Sequence, residues 1–195
     1  MRYSSQHKQE TRARVLKEAA NAIRANGPDG VAVTDIMARA GLTHGGFYAH
    51  FATKNELVGE AVATMFDEVR DRIATVGDAE DAKTSLRNIL GFYLSAEHRD
   101  DRAGGCPMPA LSGDLTRTVG PARACFTRGV TDMAATITAA LKSIGTENAE
   151  REAHALQAQL VGAVSLARAV DSASLSDAIL QDTLAQIIDR FGLAR

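Results

Sequence analysis

Two short apolar-periodic stretches, Val33 to Ala40 and His44 to Phe51, meet at a lone glycine, Gly41, and this arrangement constrains the chain more than any other feature of its 195 residues. Each stretch spans about two helical turns, too little to persist alone, so neighbours must hold it. Gly41 can take the left-handed conformation that a tight turn between helices needs, and Ala38 is small enough for the second helix to cross closely. Ile36, Leu42 and Phe47 are spaced to fill the core between them, with Phe51 four residues beyond Phe47 on the same side. Thr34 is placed to cap the first stretch, and Asp35 suits its positive end. The supporting element lies just before. From about Lys8 or Glu10 to Ala25, Val15, Ala19 and Ile23 recur with Leu16 and Ala20 beside them, and Asn26-Gly27-Pro28-Asp29-Gly30 stops that helix.

The remaining chain repeats the helical period. Thr53-Lys54-Asn55-Glu56 has capping-box spacing and opens a long helix through Leu57, Ala61, Met65, Val69 and Ile73, ended at Gly77. A helix is predicted from Ala82 to His98 on Leu86, Ile89, Leu90, Tyr93 and Leu94, followed by a polar break from Arg99 to Gly105. Cys106-Pro107-Met108-Pro109 introduces a short helix through Leu111 and Leu115, because proline is accepted in a first turn. Pro121 starts another, with the stripe Phe126, Val130, Met133, Ile137, Leu141 and Ile144. The last two helices read as a hairpin. One runs from about Glu147 to Val170 on Leu156, Leu160 and Val164; the other starts after Ser174, spaced from Asp177 like a capping box, and uses Leu180, Leu184, Ile187 and Phe191. Gly162, Ala163 and Ala167 permit close helix approach, and the pair can bury its second face either on its own domain or on a twin. No strand pattern, repeat or low-complexity tract interrupts this, and a hydrophobic content of 45% excludes disorder. The fold class is all-α: a three-helix N-terminal domain with a helix-turn-helix over residues 8–54, and a helical domain over 55–195.

Charge narrows the function. A net charge of −2 and a pI near 6.2 argue against a protein that coats nucleic acid without regard to sequence. Yet residues 1–54 hold 8 Lys/Arg against 4 Asp/Glu, whereas the rest hold 14 against 20, as suits a chain in which only the first part faces phosphate. The outward positions of the stretch from His44 to Phe51 then form a reading surface, since a short helix fits the major groove of DNA. No apolar run approaches the roughly 18–20 residues that span a bilayer, and no signal-like apolar core follows the first residues, so a cytoplasmic location without membrane contact is expected. The two cysteines, five histidines and scattered carboxylates form no catalytic triad, metal set or nucleotide loop. No enzymatic activity and no cofactor are therefore expected. Rival classes are a thiol-exchange enzyme, which would need Cys106 and Cys125 together, and a helical adaptor without DNA binding.

The segment Val33-Thr34-Asp35-Ile36-Met37-Ala38-Arg39-Ala40-Gly41-Leu42-Thr43-His44-Gly45-Gly46-Phe47-Tyr48-Ala49-His50-Phe51, extended to Arg14, Gly27, Lys54 and Leu57, closely resembles the TetR family of bacterial repressors. The resemblance implies that Thr34, Tyr48, His50 and Lys54 contact phosphate, and that Thr43, His44 and Gly46 approach base edges with Gly45 admitting the backbone. A helix N-terminus, hydroxyls, a phenol and a lysine are chemically apt for this. Ala49 and Gly46 depart from commonly polar positions, leaving few side chains for direct readout. From the residues alone, Tyr48 also fits a core aromatic, His50 a helix cap and Lys54 a solvated lysine. Arg12, Arg14 and Arg24 fit either phosphate steering or a solvated helix face, with Glu10 just before them and Glu18 between Arg14 and Arg24.

The same resemblance implies a homodimer formed through the last two helices, bound to a near-palindromic double-stranded operator and released by a small organic effector. Met65, Phe66, Phe92, Tyr93, Met108, Leu111, Phe126 and Met133 are pocket candidates that equally fit plain core. The stretch from Glu97-His98-Arg99-Asp100 to Gly104-Gly105-Cys106-Pro107 resembles a subgroup with a Gly-Cys-Pro segment. Cys106, near a helix start and near Arg99 and Arg102 in sequence, reads either as a redox or electrophile sensor or as an inert packed thiol. Cys125, flanked by Ala124 and Phe126, reads as buried or structural.

Overall fold

The computed structural model describes residues 2–194, with side chains from residue 6, and every regular element among them is helical. The order is α1 (Arg2–Asn26), α2 (Val33–Arg39), a 3₁₀ helix η1 (His44–Ala49), α3 (Lys54–Val76), α4 (Ala82–Tyr93), α5 (Ala96–Asp100), α6 (Pro107–Leu115), α7 (Pro121–Ser143), α8 (Ala149–Ala169) and α9 (Ala173–Arg190). The all-α class is as read from the sequence.

Two compact units form, and they do not follow chain order. The first joins the chain up to Glu68 to Cys106–Arg128. In it α1 packs on α2 and α6, and α2 on η1. Its core holds Val15, Ala19, Ile23, Ile36, Met37, Phe47, Phe51, Leu57, Met65 and Leu111, all buried. Gly41 takes φ +72° where α2 ends. There the amide of Leu42 donates to Met37 O at 2.9 Å and that of Gly41 to Ala38 O at 2.9 Å, which satisfies carbonyls left open by the helix end. Gly59 serves closeness instead: a Cβ on it would lie 2.9 Å from Pro121 Cβ, so the first turn of α7 sits directly on the α3 backbone.

The second unit comprises Val69–Gly105 and Gly129–Arg195. Its main pairing is that of the consecutive helices α8 and α9, and α4 and α5 pack on this pair. Arg168 stitches α5 to α8, donating to the carbonyls of Arg99 at 2.8 Å and His98 at 2.9 Å. His98 is buried, and its Nδ1 lies 2.6 Å from the carbonyl of Tyr93, which can only accept, so Nδ1 carries the proton. Burial lowers the pKa of this ring.

Several local expectations are corrected. The first helix begins at Arg2 rather than near Lys8, for nothing in that stretch breaks a helix and Gln6 Nε2 donates to Glu10 Oε1 at 3.1 Å one turn on. Ala32, not Thr34, is the N-cap of α2, and Thr34 sits in the first turn with its hydroxyl 3.4 Å from Asp35 Oδ1. Ala38 is exposed and does not mediate a helix crossing. The stretch from Ala82 to His98 is two helices, because Ser95 Oγ captures the His98 amide at 3.1 Å and starts a new one. Likewise Ser172, not Ser174, caps α9 through the Leu175 amide at 3.3 Å.

Candidate DNA-binding surface

The helix-turn-helix of the first unit is built from α2, the turn at Gly41 and η1. Inward, Ile36, Met37, Ala40 and Phe47 are buried; outward, Thr34, Thr43, His44, Gly45, Tyr48 and Ala49 are exposed. Tyr48 is 71% exposed, so it is not a core aromatic. Its ring stands edge-on to Phe47 at 5.2 Å and to His44 at 6.4 Å, which fixes it without covering it. Gly45 has open space where a Cβ would stand, and Gly46 only an ordinary contact with Met37 Cε at 3.7 Å. Neither has positive φ, so the chain's own packing does not require either glycine.

The flanking residues are tethered. His50 is the C-cap of η1 and half-buried, and its Nδ1 is enclosed with no hydrogen-bond partner among the described residues. Burial, then Lys8 and Arg12, lower its pKa and keep the ring neutral at pH 7. Lys54, the first residue of α3, sends Nζ to the carbonyl of Val31 at 2.7 Å and so ties that helix to the segment before α2. The start of α3 is capped as its spacing predicts: Glu56 N donates to Thr53 Oγ1 at 3.1 Å, while Glu56 Oε2 accepts from Ala52 N at 2.7 Å. Two of the three arginines that fit phosphate steering or a solvated face are held in ion pairs. Arg24 is buried and pairs with Glu68, and Arg12 pairs with Glu60; only Arg14 is simply exposed. Periodicity within one helix carries no signal for partners 44 and 48 positions away.

The pocket candidates divide between the units. In the first, Met65, Phe66, Met108 and Leu111 are buried and Phe126 is half-buried, with the Phe66 and Phe126 rings 5.8 Å apart. In the second, Tyr93 and Met133 are buried and Phe92 is half-buried, and His98 lies 4.6 Å from the Tyr93 ring and 5.7 Å from that of Phe92. The second unit also holds a groove of about 550 Å³ between α7 and α8, lined by Val130, Thr131, Ala134, Ala135, Thr138, Ala139, Lys142, Glu150 and His154, none of them among the eight.

Cys106 is the N-cap of α6 and 2% exposed. The arginines near it in sequence are engaged elsewhere: Arg99 donates to Asp177 Oδ1 at 2.6 Å and to Asp100 Oδ1 at 2.8 Å, and Arg102 to the carbonyl of Arg168 at 3.4 Å. Cys125, which reads as buried or structural, is half-buried, with its sulfur 3.0 Å from Arg128 Nη2 one turn along α7. Among the described residues no group of three or more His, Cys, Asp or Glu is placed to hold a metal, and no helix is long and apolar enough to cross a membrane.

An all-helical chain whose N-terminal helices α1, α2 and η1 form a helix-turn-helix bundle ahead of the further helices matches the architecture of TetR-type regulators. Residues 15–61 match the model of bacterial regulatory proteins of the tetR family. The chain is 35% identical over 81 residues to the HTH-type transcriptional regulator TtgR of Pseudomonas putida, a match covering 42% of this chain and 38% of that protein. It is similar in structure to a TetR transcriptional regulator from Chloroflexus aurantiacus, with TM-score 0.79, 27% identity, and 93% of this chain and 96% of that one covered. It also shares its fold with the reduced form of E. coli NemR, at TM-score 0.78 and 18% identity over 92% and 96% of the two chains. The chain thus has the TetR/AcrR regulator fold, with sequence homology to the family in its N-terminal segment.

Proposed function

We propose that the protein is a non-catalytic, DNA-binding transcriptional regulator, with residues 8–54 as the DNA-binding part and 55–195 as the ligand-binding and dimerisation part. The observation that carries this reading is the one-sided helix-turn-helix: Phe47 is buried while its neighbour Tyr48 is 71% exposed beside exposed Thr43 and His44. Thr34, Tyr48, His50 and Lys54 are assigned to phosphate, and Thr43, His44 and Gly46 to base edges with Gly45 giving backbone access. These groups offer hydroxyl, phenol, imidazole and ammonium donors suited to those partners. Release from a near-palindromic operator by a small organic effector completes the proposal: effector binding has only to favour a spacing of two reading surfaces that mismatches two half-sites. Pairing of two chains through α8 and α9 is supported by Leu166 and Leu175, large apolar side chains left exposed on that hairpin.

Selection of duplexes from a random pool by the purified protein, then titration of the winner at two salt concentrations, tests the reading. A near-palindromic winner, weaker binding at higher salt and loss of binding in Tyr48→Ala with Lys54→Ala are expected. Absence of any enriched sequence, with no salt-dependent binding, would refute it.

A further inference from the structure

Arg12 reaches out of α1 to two other elements at once. Its Nη2 donates to Glu60 Oε1 of α3 at 2.5 Å, and its Nη1 donates to the other oxygen of the same carboxylate. Its Nε points at the carbonyl of His50, the residue that ends η1, at 3.4 Å. The guanidinium carbon lies 4.6 Å from the centre of the Phe51 ring. Both side chains of the ion pair are about one-third exposed, 31% for Arg12 and 34% for Glu60, so solvent only partly screens it. A planar guanidinium suits this task, because its fork matches a carboxylate while Nε stays free for a third acceptor. An ammonium can match the charge but not the geometry.

The recognition segment needs such a tie. Six residues of 3₁₀ helix, two of them glycine, have little stability of their own. The last amides of the segment, those of His50 and Phe51, both donate to Phe47 O, at 2.9 and 3.0 Å. Arg12 grips the chain just where this turn closes. We propose that Arg12 and Glu60 form a positioning clamp that sets the recognition segment against α1 and α3, and that Arg12 therefore governs sequence discrimination without contacting phosphate. This inference rests on the DNA-binding reading, and it reverses the role its position in a basic segment suggests. A phosphate contact by Arg12 would compete with a two-pronged ion pair for the same guanidinium.

The test compares full-length wild type, R12K and E60Q, each titrated with the selected duplex and a scrambled duplex over a salt series well below the melting temperature. Amide exchange of residues 47–51 is followed in parallel without DNA. R12K keeps the charge and removes the fork, so selected-duplex affinity is expected to fall at least tenfold, scrambled-duplex affinity to hold, and the dependence on log salt to keep its slope. The amides of His50 and Phe51 should exchange faster, and E60Q should shift every readout in the same direction. A merely structural role would leave the ratio of selected to scrambled affinity unchanged, which would overturn the proposal. So would R12K binding like wild type, or E60Q binding more tightly with a slope steeper by about 0.9, the signature of one added phosphate contact. If wild type selects no duplex the DNA-binding reading fails, and the exchange data then judge the clamp: unchanged rates in R12K would overturn it.

Discussion

Phe47 and Tyr48 are consecutive aromatics on η1, and replacing each separately should give opposite phenotypes. Phe47 is 2% exposed, so Phe47→Ala loses a buried ring and leaves a cavity, a cost of about 3–5 kcal/mol. For a chain of this size roughly 2–4 °C of Tm accompanies each kcal/mol, giving a fall of about 6–20 °C. Tyr48→Phe keeps the ring and its edge contact with Phe47 and removes only an exposed hydroxyl, so stability should change by no more than about 0.5 kcal/mol. If that hydroxyl donates to a phosphate, its loss removes a hydrogen bond to a charged group, about 1.5–3 kcal/mol, which is roughly 10- to 150-fold in affinity. Calorimetry of both variants and titration of the selected duplex separate the two effects. A Tyr48→Phe protein that melts several degrees lower yet binds DNA like wild type would refute the assignment of Tyr48 to the outer face.

Three further outcomes follow from the same structure. Gly45→Ala should leave Tm unchanged or slightly raised, since its Cβ meets nothing, yet weaken duplex binding if backbone access is what the glycine provides; equal binding would refute that role. Gly59→Ala should lower Tm despite a helix-propensity gain of about 1 kcal/mol, because its Cβ would meet the rigid Pro121 ring at 2.9 Å, whereas Gly91→Ala, in open space on α4, should raise it. For His98 the folded pKa lies below the ordinary value of 6.5, so the unfolded chain takes up the proton first: stabilisation by the neutral ring is complete above pH 6.5 and is lost as pH falls below it. The loss can reach about 1.4 kcal/mol per pH unit. Chemical denaturation at a series of pH values should therefore show a steeper acid decline for wild type than for His98→Asn, whose amide can still donate to Tyr93 O, and parallel curves would contradict the assignment.

What was legible in the chain is what acts within a few residues. Gly41 at a turn needing positive φ, Pro107 and Pro121 in first turns and the Thr53 cap could be placed because each satisfies a local demand of the backbone. The break after Tyr93 was not legible, since Leu94 continues the apolar period and only the Ser95 side chain, by taking the His98 amide, ends it. Neither were the compact units, because α6 and the first turns of α7 join the N-terminal helices across a gap of 37 residues, a matter of tertiary packing. The pairing of Arg12 with Glu60 and of Arg24 with Glu68 lies equally beyond local pattern, and it converts cations of the basic segment from free charge into internal structure.

That conversion bears on how such a surface can discriminate sequences. On the proposed DNA-binding reading, the segment presents two glycines and Ala49, which leaves Thr43 and His44, both exposed, as its main side-chain donors for bases. Bidentate base contacts of the strongest kind, from Arg, Asn or Gln, are not available within η1. With few side-chain donors, discrimination on that reading would depend on how closely and at what angle the backbone of Gly45 and Gly46 meets the groove, and hence on the rigidity of a short 3₁₀ turn. A sequence with a long polar recognition helix can tolerate some play there. On the proposed reading this one cannot, and the residues that hold the turn, Phe47 from inside and Arg12 from its end, should matter to specificity as much as those assigned to the bases.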